Sequence, residues 1–392
     1  MLSSSSEYKF DAKKYTVSQM LDDAAAQIGN RWSNDPLTEA TVRQNLGESY
    51  QRLNRLPEAR NQFTRALQLF RSIGDEPDIA KMMFEMASQS DMEGKFEDAI
   101  VGYRETLALL NRLGPRADPP TLFMTKMDLA WEFVWLKRDL GEAGTLLAEA
   151  IALGRREPGI RRTWVSEAQT HKAELLQTQG KEAEAKAMLE ESLRVGRQEA
   201  PGGFWERVPL FDLSAIEVER GNFQTAADEA RRVFELDRKF KGEKDPYTAQ
   251  SEIRWALLRA QAGGSVEDAL REVMAAMPTL RQGFPAGSPY LRMPFSNTAQ
   301  LLVLAKRFKE AESYAREALA NADTNHVALD SEKRATSLEW LGMALNGQKR
   351  YGEAAAALVQ SEAIFQKTPN GGRNLPGLRA ALNEARQMAA LP

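Results

Sequence analysis

Apolar residues along this chain fall at helical spacing in paired blocks, and the paired block recurs eight times. The clearest copy, NLGESYQRLNRLPEARNQFTRAL, runs from Asn45 to Leu67. In its first helix (A), Leu46, Gly47 and Tyr50 lie on one side. A short turn from Asn54 to Pro57 leads into its second helix (B), where Ala59, Phe63, Ala66 and Leu67 share a face. The anchor Ala59 recurs as Ala99, Ala143, Ala185, Ala226, Ala269, Ala311 and Ala354, with gaps of 40, 44, 42, 41, 43, 42 and 43 residues. One such pair cannot bury its apolar side alone, so stacking on its neighbours is required. The pattern predicts an all-α helical solenoid of about eight helix pairs.

Within each pair, small residues let two backbones approach while bulky ones fill the space beside them. Gly47, Ala59 and Ala66 are the small set of the first pair, and Tyr50 and Phe63 the large set. The alternation continues through Ala87, Ala99 and Tyr103, through Ala130, Ala143 and Leu147, and through Ala173, Ala185 and Leu189. It recurs late as Ala299, Ala311 and Ala315, and as Gly342, Leu345 and Ala354. The fifth copy is looser, with Ser214, Ala226 and Val233; in the sixth, Gly263 and Gly264 leave the register of helix A open.

This spacing of small and aromatic residues, closest from Leu46 to Ala66, resembles tetratricopeptide repeats. The unit of 40 to 44 residues is similar to the long variety found in kinesin light chains and many bacterial signalling proteins. GDEPDIA (Gly74 to Ala80) and GEKDPYTA (Gly242 to Ala249) are similar to that variety's Gly-acidic-x-Pro links. HEAT and armadillo arrays share the repeat length but lack the small-residue spacing. The resemblance implies a right-handed superhelix over residues 38–368 with a ligand groove on its concave side. The expected organisation is a flexible segment over 1–15 and a solenoid over 16–374 that opens with a leading helix at 16–30. A capping helix over 375–392 follows, burying Leu378, Leu382, Ala385 and Met388.

Composition narrows function more than fold. A formal net charge of -3 gives no basic excess for nucleic acid, and the cluster Arg155, Arg156, Arg161 and Arg162 sits in a Gly/Pro-containing connection read as solvated. With no cysteine, disulfides, thiolate zinc sites and cysteine nucleophiles are excluded. No stretch approaches the ~18 continuous apolar residues of a membrane span, and the N-terminus lacks the apolar core of a secretory signal. The two histidines, His171 and His326, are read as surface or packing residues. No metal pairing, phosphate loop or dinucleotide fingerprint is present, so no cofactor is expected and the chain is read as non-enzymatic.

In tetratricopeptide proteins a stripe on helix A holds peptide ligands. The resemblance places Gln44 and Glu48 of the first copy in it, then Lys81, Phe84 and Ser88, then Met127, Trp131 and Val134 or Trp135. Later copies give Thr170 and Glu174, Phe211 and Ala215, Gln300, and Met343. Chaperone-binding members clamp a C-terminal carboxylate with Lys and Asn here; Glu48 would repel one. An apolar patch around Phe84, Met127, Trp131 and Phe211 would suit an amphipathic helix or extended peptide.

MLSSSSEYKF followed by TVSQMLDDAAAQI is also similar to the start of C-terminal repeat regions of large bacterial serine/threonine kinases. The implied function is a peptide- or protein-binding scaffold, the sensory region of such a kinase. The other reading is the repeat region of a transcriptional regulator or a free-standing adaptor. A free-standing chain would be cytoplasmic and a kinase's C-terminal part extracytoplasmic. Exposed end faces leave self-association open.

Overall fold

A computed structural model describes residues 16–32, 34–329, 331–367 and 375–390. The expected flexible segment over 1–15 lies outside the described residues. Among those described there are eighteen α-helices and no strand, and they divide into two compact units, Met1–Leu175 and Leu176–Pro392.

The first unit opens with α1 (Val17–Arg31). Three antiparallel A/B pairs follow: α2 (Pro36–Arg52) with α3 (Leu56–Ile73), α4 (Glu76–Met92) with α5 (Phe96–Leu113), and α6 (Pro119–Trp135) with α7 (Leu140–Arg156). Most of α8 (Arg162–Thr178) completes it. The second unit starts with α9 (Glu182–Gly196) and holds four pairs. These are α10 (Arg207–Glu219) with α11 (Phe223–Lys241), α12 (Pro246–Gln261) with α13 (Val266–Gly283), α14 (Arg292–Leu304) with α15 (Phe308–Thr324), and α16 (Glu332–Gly347) with α17 (Tyr351–Phe365). The last helix is α18 (Leu375–Ala389).

Each A-to-B turn carries a residue in the left-handed region, and the turn from α6 to α7 carries two, Lys137 and Asp139. Asn54, Gly94, Gly180, Gly221, Lys306 and Lys349 all have positive φ. The next residue then donates its amide back to the carbonyl five positions earlier, as from Arg55 to Tyr50 at 2.9 Å and from Lys95 to Ser90 at 2.8 Å. This Schellman closure ends helix A and aims helix B back along it. The return is capped by aspartate: the side chains of Asp35, Asp75, Asp118 and Asp245 accept backbone amides of the first turns of α2, α4, α6 and α12, each with proline at the start. Asp75 and Asp245 are the acidic residues of the two links singled out in the sequence.

All eight alanine anchors are fully buried, each at the fourth residue of its B helix. A Cβ on Gly47 would overlap the ring of Phe63, and one on Gly342 would overlap Leu358, so these glycines are sites of close helix approach. The open register of the sixth copy resolves with α12 ending before Gly263, which has φ +96° in the turn, and with Ala256 buried opposite Ala269. In α18, Leu378, Leu382 and Ala385 are buried, but Met388 is 39% exposed because the contact with α17 and α16 ends a turn earlier.

Candidate functional site

In the first unit the A helices α4 and α6 touch one another directly. The groove stripe expected from sequence is rotated on these helices. Gln44, Phe84, Met127 and Thr170 are buried, at 7, 8, 2 and 3% exposure, so they are packing residues and not groove residues. Phe84 packs on Tyr103 of its B helix with ring centroids 5.8 Å apart, and Thr170 donates to the Ser166 carbonyl at 3.0 Å. The expected apolar patch therefore loses Phe84 and Met127, while Phe211 belongs to the second unit. The reason is angular: one residue is about 100° of helix, enough to turn a side chain from an open face into a neighbouring helix.

The other stripe residues of this unit stay accessible. Glu48, Lys81, Ser88, Trp131 and Glu174 are partly exposed, with Lys81 paired to Glu48 at 3.6 Å. Of the alternatives Val134 and Trp135, Val134 is buried and Trp135 is 61% exposed. Trp131 stacks on His171 of α8 at 4.3 Å and meets Trp135 at 6.1 Å, making a three-ring aromatic wall.

Beside that wall stands a run of titratable groups that the stripe missed. Glu85, Asp128 and His171 each lie two residues before the small anchor of their helix, Ala87, Ala130 and Ala173. The signal was available as a charged or polar residue amid apolar ones, as in MFEMA and KMDLA. Asp128 is held well above the usual carboxylate range by partial burial and then by Glu167, Asp91, Glu132 and Glu85 around it. Burial, followed by the Glu48 charge, pushes Glu85 up to about 7, partly offset by Lys81 and Arg52. Glu132 is pushed up to about 8 by burial and by its hydrogen bond with Asp91. Glu167 is raised as well. Water still reaches Glu85, Asp128 and Glu167, so the face is recessed but open. Burial lowers His171 to about 4, leaving its imidazole neutral at pH 7.

These shifts predict a pH effect on stability. A carboxylate whose folded pKa is raised binds more protons folded than unfolded, so stability falls as pH climbs from the unfolded to the folded value. For Glu85 and Glu132 that window runs from an ordinary 4.5 to about 7 and about 8. Asp212 and Glu339 of the second unit, both pushed to about 7 by burial, act in the same direction. His171 acts oppositely, but only between about 4 and 6.5. The melting temperature should therefore fall between pH 6.5 and 8 at fixed ionic strength, and Glu85→Gln with Glu132→Gln should flatten the slope. A melting temperature that rises across that window would contradict the assignment.

In the second unit, Phe211 and Ala215 of α10, Gln300 of α14 and Met343 of α16 are partly exposed. The Arg254 guanidinium lies 4.4 Å from the Phe211 ring centroid. Burial lowers Arg254 to about 10, and Asp212 supplies the opposing charge. Among the described residues no three or more His, Asp or Glu side chains are grouped to hold a metal ion. No helix among them is long and apolar enough to cross a membrane.

The geometry defines a class: antiparallel helix pairs with small residues at the crossings and a recessed A-helix face, the fold of tetratricopeptide repeats. Residues 40–73, which are the α2/α3 pair, match the tetratricopeptide repeat family model. The crystal structure of NprR in complex with its cognate peptide NprX has a TM-score of 0.54 to this chain at 11% identity, covering 80% of this chain and 89% of that one. A Rap protein complexed with competence and sporulation factor has a TM-score of 0.53 at 10% identity, covering 90% and 99%. At these identities the likeness is one of fold. No curated protein sequence matches the chain.

Proposed function

We propose that this chain is a non-enzymatic tetratricopeptide scaffold that holds a peptide or protein segment on the A-helix face of its first unit. The observation that carries this reading is Trp135, a large aromatic ring left in water beside Trp131 on the recessed, open A-helix face. An exposed aromatic side chain backed by a second ring is a typical anchor for a partner. NprR and a Rap protein, similar in fold, are each seen with a bound partner, NprX and competence and sporulation factor.

The test is selection of binders from a random peptide library on the whole chain, repeated on Trp135→Ala. Because Trp135 is exposed, the substitution should leave stability within about 0.5 kcal/mol while lowering affinity for selected peptides by about tenfold or more. A library that yields only binders indifferent to Trp135 would overturn the reading.

The wider setting we propose is the sensory region of a bacterial signalling protein of the serine/threonine kinase kind. The likeness of the N-terminal segment supports it, part of which lies outside the described residues. Reading the gene upstream of Met1 decides this. A kinase domain and an apolar span support it, whereas a helix-turn-helix domain points to a regulator and a stop codon to a free adaptor.

A further inference from the structure

The geometry points to a cationic ligand for the first unit: an extended peptide segment whose Arg or Lys head groups sit among Glu85, Asp128 and Glu167 while their stems lie on the Trp131–Trp135 wall. This rests on the peptide-binding reading above and adds the chemistry of what is bound. Two independent features converge on it. The first is the aromatic wall, with Trp135 in water and Trp131 stacked at 4.3 Å on His171, whose Nδ1 is shielded and has no hydrogen-bond partner. The second is charge. The acids acting on Asp128 of α6 are Glu167 of α8, Asp91 and Glu85 of α4, and Glu132 of its own helix.

The cations that act on the two ends of this run are already engaged. Lys81 and Arg52 pair with Glu48 at 3.6 and 3.9 Å, and Arg138 pairs with Glu97 at 2.7 Å. Like charges gathered on a partly desolvated face repel one another, and an incoming cation relieves that repulsion. A bare metal ion is a poorer match, since these carboxylates are not grouped as a ligand set. A guanidinium or ammonium on a flexible stem can reach between them and stack on indole, the best ring for a cation–π contact. Peptides with acidic side chains are disfavoured by the same field.

The experiment is the same library selection on the full chain, now scored for composition and read against Asp128→Asn/Glu167→Gln. That double substitution keeps side-chain shape and removes repulsion, so helicity and melting should be retained. The expected result is a set of Trp135-dependent binders enriched in Arg and Lys. Each should weaken about tenfold when its arginines are replaced by citrulline, and by a similar factor on Asp128→Asn/Glu167→Gln. Trp135-dependent binders that lack cations, or that bind the double variant equally well, would overturn the cationic assignment and leave peptide binding standing. A library with no Trp135-dependent binder would overturn both.

Discussion

Phe63→Ala should destabilise the first unit by about 3–5 kcal/mol, the range for removing a fully buried aromatic ring from a packed interior. Phe63 has no exposed surface, and its ring fills the space that the missing side chain of Gly47 leaves open. Ala59, Ala66 and Phe70 on the same helix are equally buried, so the surrounding helices have little freedom to collapse into the void. The effect should be seen as an early transition in urea unfolding that removes part of the helical signal, because repeat units lean mainly on their neighbours. Gly47→Ala approaches the same contact from the other side: it overpacks, with an expected loss of about 1–3 kcal/mol. Combining it with Phe63→Leu should recover part of that loss, since the smaller side chain makes room. Purely additive losses would show that the two residues do not share one space.

A second large effect is expected in the second unit, from a charge instead of a ring. Asp237 of α11 is fully buried, and Arg207 at the start of α10 donates to its Oδ1 at 2.7 Å. Lys241 lies farther off at 3.8 Å, and Oδ2 has no hydrogen-bond partner. Arg207→Met leaves a buried carboxylate with only the distant lysine, and should destabilise by about 3 kcal/mol. The diagnostic is the double variant. Arg207→Met with Asp237→Leu removes the stranded charge as well and should be more stable than Arg207→Met alone, in thermal or urea unfolding. If the double variant is the less stable one, Asp237 acts through packing and not through its ion pair.

Both predictions draw on features of unequal visibility in the sequence. The helix pairs were legible because their signal is redundant: an alanine anchor every 40 to 44 residues, a small partner in the second half of helix A, and Asp-Pro or Gly punctuation between. All eight anchors prove to be buried at equivalent positions. Asn54 could be read as a turn residue, but Lys306 and Lys349 could not, since lysine carries no preference for positive φ. The buried pair Arg207–Asp237 was not visible either, because it joins two helices 30 residues apart with no motif to announce it.

The face of the candidate site was harder to read than the pairs. A helix squeezed between neighbours shows only a narrow open strip, so an error of one residue exchanges groove for core. That error separates Phe84 from Glu85 and Met127 from Asp128. Trp131 survives it because its bulk spans the boundary, and Trp135 was one of two alternatives until burial of Val134 decided between them. The carboxylate run was hidden for a related reason. Each acid looks like an ordinary solvated residue in its own helix, and only stacking α4, α6 and α8 brings Glu85, Asp128 and Glu167 together.

Ligand is expected on the A-helix face of the first unit. The most direct measurement places a photo-crosslinking benzoylphenylalanine at Trp135 or, separately, at Val101, which is 56% exposed on helix α5. Each protein is then irradiated with a library-selected peptide. A covalent adduct is expected from position 135 and none from position 101. An adduct from 101 without one from 135 would place the ligand on the B-helix side and contradict it.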